Sequence, residues 1–158
     1  MARGFTYAGY SGNLVRVHDV VRRYVGAAGA RDVEACMQCF ASDATFVDPG
    51  KSAQLDRGGI EKEFQGVFAA FPDATFETLA LDPISNEVAA WRWTLRGTNT
   101  GQFAGGPPTG RAIELSGCEF IQVREGLIWH VTAYFDRLRL VAQLGFASDP
   151  ALPTPAKD

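Results

Sequence analysis

Apolar side chains recur along this chain first at helical spacing and then at strand spacing. From Asn13 onward, Leu14, Val17, Val21, Tyr24 and Val25 fall on one helical face, with Arg16, Asp19, Arg22 and Arg23 opposite. Gly26 and Gly29 mark the expected end of that helix. Val33, Cys36, Met37 and Phe40 repeat at i, i+3, i+4 and i+7 and predict a second helix beginning near Arg31. Thr45, Phe46 and Val47 read as a short strand, closed by the turn signature Asp48-Pro49-Gly50. Ile60, Phe64, Val67, Phe68 and Phe71 form a third helical face, stopped by Pro72 and Asp73.

Beyond that point the pattern alternates. Residues 75–81 make one strand, turned back by residues 82–86, and three longer runs follow at 87–97, 111–123 and 127–135. Glu125-Gly126 supplies a tight turn between the last two. Leu138, Leu140, Val141 and Leu144 predict a short closing helix ended by Gly145. Helices first and an antiparallel meander later predict an α+β cone, not a βαβ architecture. Three N-terminal helices would pack on a strongly curved, mostly antiparallel sheet with a short C-terminal helix. Helices laid across so bent a sheet cannot close its wide end, so an interior cavity for a small molecule is expected. The cone would span residues 13–146, between a flexible arm at 1–12 and a disordered tail at 147–158, rich in Pro, Ala and Asp.

Composition narrows the partners. At 158 residues the chain has the size of one domain, and 46% hydrophobic with 21% charged residues is globular. A net charge of −3 advertises no face for nucleic acid. No apolar run approaches a membrane span of about 20 residues, and residues 1–12 lack the apolar core of a signal peptide, so a cytoplasmic location is expected. Three cysteines are an odd number for a disulfide framework. Cys36 and Cys39 form a C-x-x-C on an apolar helical face, away from the strand-to-helix turn a redox pair needs, and read as core. With only Cys118 and two histidines elsewhere, no metal site is expected, nor any cofactor.

Alternation sorts the strand residues into faces. Val88, Ala90, Arg92 and Thr94 oppose Ala89, Trp91, Trp93 and Leu95. Glu119, Ile121 and Val123 oppose Cys118, Phe120 and Gln122. Trp129, Val131 and Ala133 oppose His130, Thr132 and Tyr134. Alternation alone does not say which face is concave.

Several stretches in order carry a family resemblance: residues 91–101, the Gly/Pro-rich return 106–111, residues 124–129, Tyr134-Phe135-Asp136-Arg137-Leu138 and Gln143-Leu144-Gly145. Their arrangement resembles the SnoaL-like polyketide cyclases and the related limonene epoxide hydrolases, both of the nuclear-transport-factor-like fold, over roughly residues 13–146. In those relatives an aspartate three residues ahead of a second Asp, at the end of the last strand, is the catalytic acid or base. Here that position is Ala133. The epoxide hydrolases carry Arg-x-Asp on the middle strand, matched here by Arg92-Trp93-Thr94. A polar pocket residue of the cyclases, seven before the turn glycine, corresponds to Glu119, and a water-binding amide of the hydrolases to Asp48.

The resemblance thus implies a rearranged catalytic set, Asp48, Arg92 and Glu119, in an apolar cone. Phe46, Phe64, Thr94, Trp129, Val131 and Ala133 would form the substrate wall. A carboxylate there is pushed up by desolvation and pulled down by a guanidinium, and two carboxylates in different settings can divide acid and base roles. The implied chemistry is cofactor-independent cyclisation of an apolar, oxygenated, polyketide-type substrate by intramolecular aldol reaction. Asp48 or Glu119 would take the proton, and Arg92 would hold the enolate oxygen. Epoxide opening or isomerisation in the same pocket is the second enzymatic reading. The bland counterpart is a buried Arg–Glu or Arg–Asp pair closing the sheet, with Asp48 as a turn former, in a non-catalytic binding module. Losing two family acids, at Thr94 and Ala133, is what a retired active site shows.

Asp136 precedes the final helix and reads as its cap. His130 faces away from Ala133. Segment 101–110 precedes a strand with no Lys-Ser/Thr after it, which fits a pocket rim or dimer arm and not a phosphate loop. Trp91, Trp93, Phe120 and Tyr134 would share the convex face, an apolar patch that predicts a homodimer through the sheet.

Overall fold

The computed structural model describes residues 14–51 and 53–146. The expected arm at 1–12 and tail at 147–158 lie outside the described residues. Helix α1 (Leu14–Ala30) buries Val17, Val20, Val21 and Tyr24 and exposes Arg22 and Arg23, as its amphipathic pattern requires. Helix α2 (Val33–Gln38) is capped by Asp32, whose side chain accepts from Ala35 N. It ends two residues earlier than the helical spacing predicts, because Phe40 already opens strand β1 (Phe40–Val47). Helix α3 (Arg57–Ala70) is capped by Asp56. Strands β2 (Thr75–Pro83), β3 (Val88–Thr98), β4 (Ala112–Arg124) and β5 (Leu127–Phe135) then form the meander, and helix α4 (Arg137–Gln143) closes the chain.

The sheet order is β1-β5-β4-β3-β2, with β1 parallel to β5 and every other pair antiparallel. This is the expected α+β cone, four helices on a five-stranded sheet. Both residues of the Glu125-Gly126 turn have positive φ, 53° and 79°, the geometry of a two-residue hairpin that matches strand twist. The strand register slips at three places, between Phe40 and Thr45 on β1 and at two single-residue bulges. Leu79 is an extra residue between the pairs Thr78–Trp93 and Ala80–Arg92, and Trp129 is one between His130–Gln122 and Ile128–Val123. Among the described residues no helix is long and apolar enough to cross a membrane.

The orientation of β3 decides the interior. Trp91 and Trp93 are 1% and 5% exposed, and they face α1 inside the cone. Burying an aromatic of this size is worth roughly 2–3 kcal/mol, which neither would gain on an outer face. The inner aromatics form one connected group. Tyr24 meets Trp91 and Phe40 edge-on, at centroid distances of 5.7 and 5.4 Å, and Phe76 bridges Trp91 to Trp93. The expected convex tryptophan patch is therefore overturned: these indoles are core. Phe120 and Tyr134 do lie exposed on the outer face, packed edge-on at 6.2 Å.

Candidate active site

An apolar cavity of about 350 Å³ opens between α3, the inner face of the sheet and α4. Its rim is the segment between β3 and β4, which presents Gln102, Phe103 and Ala104. Asn99, fully buried, pins that rim. Its Nδ2 donates to the carbonyls of Ala70 and Gly101, and its Oδ1 accepts from Thr109 N and Oγ1. Gly101 must be glycine, since a Cβ there would sit 2.0 Å from the Ala69 carbonyl oxygen. A wider, open depression of about 520 Å³ lies outside, but its charges are spoken for: Arg96 pairs with Glu77 and Glu114, and Asp73 accepts from Thr98 N.

Glu119 stands mid-way along β4, opposite Trp91 on one side and Ala133 on the other, and faces the cavity. It is 6% exposed, and Tyr24 donates its hydroxyl to Glu119 Oε2 at 3.0 Å. Burial pushes the carboxyl up from 4.5 to about 7, against the Tyr24 hydrogen bond and the nearby Trp93 N–H, which favour its charge. Tyr24 in turn is pushed well above the usual phenol value by burial, and by the Glu119 charge beside it.

Asp48 directly follows β1 and also lines the cavity. Its Oδ1 accepts from Gly50 N at 2.8 Å, forming the turn, while Oδ2 pairs with Arg137 Nη2. Arg137 is the first residue of α4, directly after the cap Asp136, whose side chain accepts from Arg139 N at 2.9 Å. Its guanidinium carbon lies 5.5 Å from the Phe135 ring centroid.

Of the residues singled out from sequence, Asp48, Glu119, Phe46, Phe64 and Ala133 line this cavity. Four do not. Arg92 is exposed on the outer face beside Cys118, because Trp91 and Trp93 on either side of it take the inner positions. Thr94 shares that outer parity, with its Oγ1 3.4 Å from Ser116 Oγ. Trp129 is the bulge residue, so the β5 alternation slips there: Ile128 turns inward, and Trp129 packs under the Arg124 guanidinium at 5.4 Å. Val131 is wholly buried in the core and does not reach the cavity wall. His130 faces outward, its ring nitrogens engaged by Thr45 and Thr132. The arginine paired with a cavity acid is Arg137, on Asp48, and not Arg92.

Sequence reasoning missed Tyr24, Trp93 and Arg137. Tyr24 carried a signal, since a tyrosine on a fully apolar helical face needs a buried partner for its hydroxyl. Among the described residues no group of three His, Cys, Asp or Glu is arranged around a metal. Cys36 and Cys39 are buried free thiols, and burial raises Cys36 to about 12, far from reactive.

Residues 18–144 match the family model for SnoaL-like polyketide cyclases. The chain belongs to that family. No curated protein matches it in sequence. Among solved structures it is similar to IdmH of Streptomyces antibioticus, a candidate polyketide cyclase, at 29% identity and TM-score 0.68, covering 81% of this chain and 97% of that one. AclR of Streptomyces galilaeus, a candidate hydroxylase, superposes with TM-score 0.77 at 20% identity over 89% and 86% of the two chains. A candidate SnoaL-like polyketide cyclase from Jannaschia sp. CCS1 gives TM-score 0.75 at 15% identity over 90% and 99%. The last two likenesses bear on the fold alone. The α+β cone is thus the fold of the family.

Proposed function

We propose that this protein is a cofactor-independent acid–base catalyst that cyclises an apolar, oxygenated, polyketide-type substrate by intramolecular aldol reaction. The observation that carries the reading is Glu119, a carboxyl buried at an apolar cavity, held near neutral pKa by desolvation and oriented by Tyr24. Ionised, Glu119 takes a proton from a carbon beside a carbonyl. The enolate carbon then attacks a second carbonyl of the same molecule, and the resulting alkoxide takes a proton back from the Glu119 carboxylic acid. Arg137, paired with Asp48 at the cavity, supplies the positive charge that the family register assigned to Arg92. Phe46, Phe64 and Ala133 leave the carbon skeleton an apolar wall with room where relatives carry an acid. At about 350 Å³ the cavity lies at the small end of the range for small-molecule sites. Self-association belongs to the same reading, through Phe120 and Tyr134 in place of the tryptophans.

A linear polycarbonyl substrate is the test. Glu119→Gln should lose roughly 10²–10⁴-fold in kcat while still binding cyclised product. Wild-type kcat/KM should rise with pH through an apparent pKa near 7, where Glu119 ionises. Full turnover in Glu119→Gln would remove the mechanism. The replacement of the family acid by Ala133 favours a second reading, a non-catalytic binding module, whose mark is product affinity in wild type with no turnover at any pH.

A further inference from the structure

We infer that the indole N–H of Trp93 is a fixed donor for a substrate oxygen, a further catalytic residue working beside Glu119. This rests on the reading of Glu119 as the proton acceptor, and it adds a residue that no acid–base pattern in the sequence marks. Trp93 is 95% buried by its 5% exposure and lines the cavity wall, yet its Nε1 has no hydrogen-bond partner among the described residues. A buried donor left unpaired is costly, by roughly 1–3 kcal/mol, so it calls for an explanation at the place where it points. Trp91, its neighbour on the same face, shows the contrast: its Nε1 donates to Thr78 Oγ1 at 3.1 Å.

The donor is held rigidly. Gly117 lies across from Trp93 in the β3–β4 register, and a Cβ there would come within 2.4 Å of Trp93 Cη2 and Cζ2 and 2.9 Å of Cε2. The indole therefore rests on bare backbone, and Phe76 packs against it edge-on at 5.6 Å. Glu119 follows two residues after Gly117 on the same face, and the Trp93 N–H is close enough to favour its charge without reaching good hydrogen-bond geometry. An acceptor and an immobile donor thus stand side by side in a largely apolar pocket. That pair fits an enolisable carbonyl: Glu119 takes the carbon-bound proton, and the oxygen that gains charge receives the N–H bond. The chemical class recognised here is a carbonyl or enol oxygen on an apolar skeleton.

The probe is β-naphthol, an enol-like hydroxyl on an apolar body, compared with naphthalene. In isotope-labelled full chain the three indole N–H resonances are followed by nuclear magnetic resonance. Trp129→Phe and Trp93→Phe assign them, and Trp91 serves as the internal control. β-Naphthol should move the Trp93 N–H downfield, while naphthalene should not. By titration, wild type should prefer β-naphthol over naphthalene, and Trp93→Phe should lower that preference about fivefold to tenfold with naphthalene affinity retained. If Trp93→Phe does not fold, Trp91→Phe completes the assignment and the wild-type resonance shift decides. An unmoved Trp93 N–H in a protein that binds β-naphthol through Glu119, seen as loss of the preference only in Glu119→Gln, overturns the Trp93 assignment and leaves the acid–base reading standing. No binding of either probe overturns both.

Discussion

Two acidic side chains line the cavity, and their polar neighbours differ. Glu119 has no cation, only two neutral donors near it, so burial wins and raises it to about 7 from 4.5. The folded state consequently holds its proton more tightly than the unfolded chain. Stability from this group is whole below about 4.5, falls as pH rises, and is lost above about 7. By about pH 8 the buried charge costs roughly 3 kcal/mol against a group that stays neutral. Glu119→Gln, which can still accept from Tyr24, should flatten this slope, and melting curves across the interval check it. A wild-type melting temperature that rises from acid to neutral pH on account of this residue would contradict the burial argument. Asp48 is held in place by Gly50 N and by Arg137. Arg137→Lys should reduce kcat/KM by roughly tenfold or more, because an ammonium cannot hold Asp48 and a substrate oxygen with separate prongs. Arg92→Lys, on the outer face, should leave turnover within about twofold. Parallel kinetics on the two variants separate the residues, and the opposite ranking would return Arg92 to the site.

At the scale of elements, helix α4 matters because it delivers Arg137. Asp136 caps it through the Arg139 N–H. Asp136→Ala should cost about 1 kcal/mol, and Asp136→Asn close to nothing, with turnover nearly unchanged in the latter. Urea unfolding and kinetics together test this, since a folded Asp136→Asn that has lost activity by orders of magnitude makes Asp136 catalytic. The elements themselves were legible in the sequence, because amphipathic spacing at α1 and α3 and the Glu125-Gly126 turn are local signals. The faces were legible only in part. On β3 the apolar members of the alternation, Ala89, Trp91, Trp93 and Leu95, are all buried, while Arg92 between the tryptophans is exposed, so hydrophobicity alone picks the inner face. Aligning Arg92-Trp93-Thr94 with an Arg-x-Asp pattern picked the other. Glu119 and Ala133 kept their place, and they pair across β4 and β5 only because the bulge at Trp129 shifts the hairpin register by one residue. Trp129 did not, because a bulge inserts one residue without leaving a local mark. Arg137 reaches the cavity from a helix, where strand parity says nothing.

For the whole molecule, the inward turn of the tryptophans changes what the outer face can do. A convex surface carrying Trp91 and Trp93 would have driven association strongly; the one that exists carries Phe120 and Tyr134, with Arg92 between β2 and β4 on the same side. A standard interface buries about 1,600 Å² in total, and two aromatics supply roughly 150–250 Å² each per protomer, so they can anchor a dimer but not complete one. Association through this face must therefore recruit the neighbouring outer residues of β3, β4 and β5, and should be weaker than a tryptophan-centred interface. Sedimentation at roughly tens of micromolar should show a dimer in dissociation equilibrium with monomer. The double variant Phe120→Ser with Tyr134→Ser should shift the population to monomer. Because both side chains point away from the cavity, β-naphthol binding should be unchanged in that variant. A wild-type protein that sediments only as monomer removes the interface, and a double variant that remains dimeric moves it to another surface.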